Sequence, residues 1–111
     1  MADATILLRI TPILGAANTI ITGGTPITVA TGPINGGYVT NPLNAAAQKI
    51  ATAENAYLDM VGNPGSTDAN ANGSTVLLAP GQNFDLPVLA AGITVKVNAA
   101  TSGHALTVVT W

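Results

Sequence analysis

The chain has 111 residues, enough for one domain and too few for two, and only eight of them, 7%, are charged, against roughly 25% in an ordinary soluble domain. Three cations and a net charge of −2 exclude a protein that tracks nucleic-acid phosphates and a polybasic membrane anchor, because both bind through clustered positive charge. No apolar run reaches the roughly 18 residues of a membrane-spanning helix, and the N-terminal pattern leads us to expect no secretory signal.

The chain contains no cysteine, which excludes disulfides and thiolate metal sites. Because so few residues are charged, the surface must be built from Thr, Asn, Ser, Gly and Ala. A free domain, in contrast, usually stays soluble through a well-charged exterior. This composition favours a protein that is packed against partners. The alternative is a soluble domain that is simply rich in Ala and Thr.

Strand signals begin near the N-terminus, where residues 5–11 are β-branched and apolar. Residues 18–22 and 26–31 are two further runs of this kind, and they flank the pair Gly23-Gly24. Two short apolar runs joined by a glycine pair predict a hairpin.

One short helix is predicted over about residues 42–53. Asn41 can cap its first turn, and Pro42 suits the first helical position, where a missing N–H costs nothing. Apolar residues then recur at helical spacing, at Leu43, Ala46, Ala47 and Ile50. Residues 55–61 could extend the helix or form a strand, and the alternation of Tyr57 and Asp59 with Leu58 and Met60 favours a strand.

The second half of the chain repeats short strands at intervals of about ten residues, with turn signals between them. These strands are predicted at residues 75–78, 82–86, 93–97 and 105–111. In the third of them Ile93, Val95 and Val97 fall on one face, with Thr94 and Lys96 on the other. We therefore predict a mainly β fold: a single antiparallel β-sandwich or jelly-roll-like barrel that spans residues 1–111.

One segment resembles part of a calcium loop. Residues 68–73, Asp-Ala-Asn-Ala-Asn-Gly, place oxygen ligands at alternate positions and a glycine at the sixth. The twelfth position, which needs a bidentate carboxylate, is Ala79, and Asp68 would be the only anion. We expect a turn here and no metal site.

His104 is the only imidazole of the chain, which excludes a site built from several histidines. It follows Thr101-Ser102-Gly103, but adjacent turn residues rarely face each other, and no carboxylate is marked to orient the ring. We expect a histidine on the surface or at a strand edge. We also expect no catalytic residues, no cofactor and no enzymatic activity.

Tyr38 and Trp111 are the candidate interface residues, because large aromatic side chains are enriched in interface hot spots. Tyr38 lies on a glycine-rich connection, and Trp111 is the last residue of the chain. The alternative for Trp111 is to close the core at the end of the last strand. Phe84 is expected in the core. An exposed Trp111 beside a tyrosine would also suit a sugar-binding surface.

Residues 36–61, Gly-Gly-Tyr-Val-Thr-Asn-Pro followed by an Ala-rich stretch, and residues 77–82, Leu-Leu-Ala-Pro-Gly-Gln, resemble the capsid decoration, or cement, proteins of tailed bacteriophages. The resemblance covers about the last three-quarters of the chain. It implies a small β-sandwich or jelly roll without an active site. Such a protein would bind the outer surface of an icosahedral shell and bridge neighbouring capsomers against the pressure of packaged DNA.

The resemblance also implies the major capsid protein as partner and the virion as location, after synthesis in the host cytoplasm. Because closed oligomers are usually symmetric, we expect a homo-oligomer, a dimer in preference to a trimer. We expect neither nucleic acid nor membrane as a partner. The alternative function is a carbohydrate- or receptor-binding β-sandwich module of a phage fibre or tail.

Overall fold

The computed structural model describes the backbone of residues 13–14 and the whole of residues 18–67 and 73–111. The predicted strand at residues 5–11 and nearly all of the calcium-like segment at 68–73 lie outside these residues. The described elements are β1 (Ile13–Leu14), β2 (Ile27–Thr31), β3 (Gly37–Thr40), α1 (Ala45–Gln48), β4 (Ala56–Asp59), β5 (Val76–Leu78), β6 (Asn83–Leu86), β7 (Thr94–Asn98) and β8 (Thr107–Thr110).

The strands form two four-stranded sheets, in the orders β1-β8-β3-β6 and β2-β7-β4-β5. Every pairing within them is antiparallel. The prediction of a mainly β fold with a small sandwich architecture is therefore confirmed. Most neighbours in these sheets are distant in sequence, so loops at the two ends of the sandwich carry the chain from sheet to sheet.

The core lies between the sheets and follows from the alternation of the strands. Val95 and Val97 of β7 are fully buried, whereas Lys96 between them is half-exposed, as predicted. Ile93, predicted on the same face as the two valines, is 41% exposed because it precedes the start of β7. Phe84 is partly buried and packs against the core, also as predicted. The buried apolar residues of both sheets form one cluster: Ile20, Val29, Val39, Ala56, Leu58, Leu78, Leu86, Leu89, Val95, Val97, Ala99, Leu106 and Val108.

The predicted hairpin around Gly23-Gly24 is wrong. Residues 18–20 run beside the start of β8, with a bridge between Thr19 and Ala105, whereas β2 pairs with β7 in the other sheet. The glycines make the crossing between the two sheets. Gly23 lies so close to the Ala100 carbonyl that an added Cβ would stand 2.1 Å from its oxygen, so close backbone packing requires the glycine.

The predicted helix over residues 42–53 is much shorter in the structure. Only Ala45–Gln48 is helical, its cap is Asn44 rather than Asn41, and Lys49 ends it in a left-handed conformation with φ of 61°. The helix stops because the side chain of Gln48 turns inward and is fully buried, so the following residues fold around it as a loop. None of the described residues forms a helix long and apolar enough to cross a membrane.

A matched pair of leucines tests where the core lies. Leu58 of β4 is fully buried, and Leu77 of the neighbouring strand β5 is 40% exposed. We expect Leu58→Ala to lower the free energy of unfolding by about 2–5 kcal/mol because it leaves a cavity. Leu77→Ala should lower it by less than about 1 kcal/mol. Urea denaturation of both variants measures the difference, and equal losses would contradict this packing.

Candidate functional site

The two candidate interface residues lie on the outer face of the sheet that contains β3 and β8. Tyr38 is opposite Val109 of β8 and opposite Asp85 of β6. Its neighbour Val39 is fully buried, so the alternation of β3 turns Tyr38 away from the core. The Tyr38 side chain is half-buried at this surface.

Trp111 follows β8 and lies on the same face. Its N–H donates to the Gly36 carbonyl at 3.1 Å and its carbonyl accepts from the Asn35 N–H at 2.6 Å, which continues the pairing of the two strands. Thr110 is turned inward, so the indole faces outward, where it packs on Gly36. Tyr38 and Trp111 are therefore diagonal neighbours on adjacent strands, at a typical separation of about 7–8 Å.

Polar side chains surround this aromatic pair and are joined to one another. Thr40 Oγ1 donates to Asn83 Oδ1 at 2.6 Å, and Asn83 Nδ2 donates to Asp85 Oδ1 at 2.8 Å. Asp85 is the only charged residue that the described strands place on this surface. We call this surface the aromatic face; it consists of Tyr38, Thr40, Asn83, Asp85, Thr107, Val109 and Trp111.

The expectation of a surface or edge histidine is wrong. His104 is fully buried, with Nδ1 at 2.8 Å from Glu54 Oε2 and Nε2 at 2.7 Å from Asn41 Oδ1. Asn41 is also fully buried, and its Nδ2 donates to the carbonyls of Glu54 and Leu78. These buried polar side chains therefore supply hydrogen bonds to the loops at one end of the sandwich. The sequence pattern predicted only that Asn41 caps a helix.

The hydrogen bonds of Asn41 fix which side of its amide faces His104. Because Asn41 Nδ2 is used by two carbonyls, its Oδ1 faces the ring and accepts a hydrogen bond from Nε2–H. Nδ1 faces a carboxylate oxygen of Glu54, which also accepts. The ring of His104 is therefore held between the Asn41 amide and the Glu54 carboxyl group, with Nδ1 and Oε2 2.8 Å apart.

Glu54 is held in its ionised form. Burial raises the pKa of its carboxyl group, but hydrogen bonds from Thr101 and His104, together with the charge of the ring, outweigh burial and leave the pKa below its ordinary value. Thr101 Oγ1 donates to Oε1 at 2.6 Å, and the Thr101 N–H donates to Oε2 at 3.0 Å. Gln48 bonds the backbone of Glu54 in both directions. These residues, Asn41, Gln48, Glu54, Thr101 and His104, are the His104 cluster.

The two hydroxyls near His104 are bonded to groups other than its ring. Thr101 Oγ1 donates to the carboxylate of Glu54, and both ring nitrogens of His104 are occupied away from solvent. Ser102 Oγ accepts the Gly23 N–H at 2.8 Å. An open cleft of about 450 Å³ borders the cluster at Glu54 and is lined by Ala53, Glu54, Asn55, Tyr57, Ser66, Thr67, Pro80 and Ala100. The described residues contain no group of three or more side chains suited to hold a metal ion.

A second buried carboxylate organises the other end of the sandwich. Asp59 is fully buried at the end of β4. Its Oδ1 accepts the N–H groups of Val61 and Gly62, and its Oδ2 accepts the hydroxyls of Ser74 and Thr75. This acid shapes two loops and so is not part of the charged exterior.

No protein family, no curated protein and no solved structure matches this chain.

A pair of asparagines tests the His104 cluster. Asn41→Ala would leave the Leu78 carbonyl and His104 Nε2 without a partner in the interior, so we expect the free energy of unfolding to fall by about 2–4 kcal/mol. Asn44 is exposed and caps α1 through the Ala47 N–H, so Asn44→Ala should cost about 1 kcal/mol. Chemical denaturation compares the two, and a larger loss at Asn44 would refute the assignment.

The Glu54 carboxylate predicts a pH dependence. Because folding lowers its pKa, its stabilisation is fully present above the unfolded pKa of about 4.5 and is lost as the pH falls through the lower pKa of the folded protein. The difference in unfolding free energy between wild type and Glu54→Gln should therefore be larger near about pH 6 than near about pH 3. Urea denaturation across this range measures it. Asp85→Asn, on the exposed surface, is the control, and a difference independent of pH would contradict the prediction.

Proposed function

We propose that this protein is a structural virion protein that binds the outer surface of an icosahedral bacteriophage capsid. In this role it bridges neighbouring major capsid proteins and stabilises the shell. The observation that carries the proposal is the aromatic face, which presents Tyr38 and Trp111 together on one nearly uncharged sheet surface. The sequence resemblance to phage decoration proteins supplies the identity of the partner.

The charge distribution supports a protein whose surface is covered by other proteins. Of the described charged residues, Glu54 and Asp59 are used within the fold, which leaves Lys49, Asp85 and Lys96 for the surface. A free domain usually keeps itself soluble with many more charges. Neutral polar groups cost less to desolvate than charged ones, which suits a chain covered by neighbours.

Exposed apolar side chains support the same proposal. Ile21 is 74% exposed and Leu43 71% exposed near the end of the sandwich that holds His104, and Val61 is 86% and Val88 73% exposed near the other end. Single exposed apolar residues are common, but here few charges surround them. Both ends of the sandwich are therefore suited to modest apolar contacts in a lattice.

The proposed role requires no catalysis and no cofactor. It requires many weak contacts that act together, since an oligomer that binds several sites at once gains avidity without any single tight interface. We propose a homo-oligomer, with a dimer preferred to a trimer, that matches a symmetry axis of the shell. The protein would be made in the host cytoplasm and function on the virion.

The first test is copy number. Quantitative mass spectrometry of density-purified particles of the encoding phage should find a number of copies comparable to that of the major capsid protein. A handful of copies per particle would favour a fibre or tail module instead. Absence from the particle would overturn the virion proposal.

Trp111→Ala tests the aromatic face. Because aromatic anchors at interface centres contribute about 2 kcal/mol or more, we expect its affinity for particles that lack the protein to fall about thirtyfold. Leu77→Ala, which changes a partly exposed apolar residue on β5 of the other sheet, should bind like wild type. Sedimentation of protein with particles measures both. Unchanged binding of Trp111→Ala would remove the aromatic face from the interface.

A carbohydrate-binding module is the second candidate. It is favoured by one observation, since the aromatic face sets two aromatic side chains beside the amide of Asn83 and the carboxylate of Asp85. Such a combination stacks on sugar rings and bonds their hydroxyls. Glycan-array binding that is lost in Trp111→Ala would support this candidate, and an array without binding would reject it.

A further inference from the structure

We infer that the surface bound by the aromatic face presents a basic side chain, which pairs with Asp85 and lies against Tyr38 and Trp111. This inference rests on the proposed function for its setting, a protein interface, and names the chemistry of the partner. An arginine fits the site better than a lysine, because its planar guanidinium bonds a carboxylate and stacks on aromatic rings at the same time.

The register brings Asp85 against Tyr38. The Asn41 N–H donates to the Gln82 carbonyl at 3.0 Å, which identifies residues 41 and 82 as a hydrogen-bonded pair of the β3–β6 ladder. Counting along the two strands, Tyr38 and Asp85 form a non-hydrogen-bonded pair. Side chains of such pairs are closest, with about 4.5 Å between Cα atoms. Tyr38 and Asp85 are therefore direct cross-strand neighbours on the aromatic face.

Asp85 is oriented but not neutralised. Asn83 Nδ2 donates to its Oδ1, and Thr40 holds Asn83 in place. Oδ2 has no partner among the described residues. Neither described lysine pairs with Asp85. Lys96 Nζ donates to Asn63 Oδ1 at 2.9 Å, and Lys49 lies at the end of α1, outside the aromatic face. The carboxylate is thus available to a partner.

Covering the aromatic face requires a compensating charge. In the free protein Asp85 is exposed and solvated by water. A partner that packs on Tyr38 and Trp111 would remove that water, and a carboxylate buried without a partner is strongly unfavourable. A basic side chain removes this cost, and the faces of the two rings attract a cation as well. A neutral sugar would leave the charge uncompensated.

Trp111 makes the inference measurable without knowledge of the natural partner. It is the only tryptophan, so the indole N–H signal in a ¹H–¹⁵N spectrum reports on the aromatic face alone. The probe is the tripeptide acetyl-Gly-Arg-Gly-amide, and its neutral match replaces arginine with citrulline. We expect saturable shifts of the Trp111 indole and of the Asp85 amide with the arginine peptide.

Removing the charge should weaken this binding. We expect Asp85→Asn, and equally the citrulline peptide with wild type, to bind about two- to fivefold more weakly than the reference pair, as is typical of an exposed ion pair. Asp85→Lys should show no saturable shift. Lys49→Gln, which changes a charge elsewhere on the surface, should bind like wild type. Equal binding of the arginine and citrulline peptides, or no shift up to the solubility limit, would overturn the inference.

Particle binding separates this inference from the proposed function. If wild type and Asp85→Asn bind particles equally while Trp111→Ala does not, the inference fails and the proposed function stands. If wild type does not bind particles, the proposed function fails, and the peptide titration still decides the chemistry of the face. Shifts caused by glycans but not by the arginine peptide would overturn the inference in favour of a sugar ligand.

Discussion

The hydrogen bonds of His104 hold together parts of the chain that are far apart in sequence. The ring joins Glu54 and Asn41, which lie 50 and 63 residues before it. Asn41 is in turn fully buried, and its Nδ2 donates to the backbone carbonyl of Leu78. Because each polar group in this interior has its partner, loops from both sheets can close over the end of the sandwich. This closure also limits the length of α1, because its last residue, Gln48, is buried and bonds the backbone of Glu54.

The use of acids inside the fold explains the neutral exterior. Glu54 pairs with the ring of His104, and Asp59 accepts hydrogen bonds from two loops at the other end. Burial removes each carboxylate from water, which is unfavourable, and hydrogen bonds from several donors of the protein offset this loss. What remains for the surface is a few charges and many Thr and Asn side chains. That exterior fits a protein whose outer faces are covered by neighbours.

Asp85 has a different position from these two acids. It stands in the aromatic face with one oxygen bonded by Asn83 and the other without a described partner. The interior acids are satisfied by their own chain, whereas Asp85 can be satisfied by another molecule. This contrast indicates that Asp85 is the place on the surface where an ion pair with a basic partner would stabilise binding most.

Local patterns predicted the strands well and their partners poorly. The alternation at Val95 and Val97 was sufficient to place β7 with its buried face correctly. The glycine pair at 23–24 predicted a turn, and a turn is present, but it crosses between sheets instead of closing a hairpin. The helix at 42–53 failed for a similar reason. Its periodicity is a local property, while the burial of Gln48 depends on the distant backbone around it.

The sequence by itself determined the mainly β character, the positions of most described strands, and Tyr38 and Trp111 as the aromatic residues to examine. These follow from side-chain alternation and composition, which act over a few neighbouring residues. Only the tertiary structure decided that Tyr38 and Trp111 share one face with Asp85, and that His104 is buried between Asn41 and Glu54. Those arrangements depend on which strands pair and in which register, and pairing is settled by the burial of the whole core rather than by any single segment.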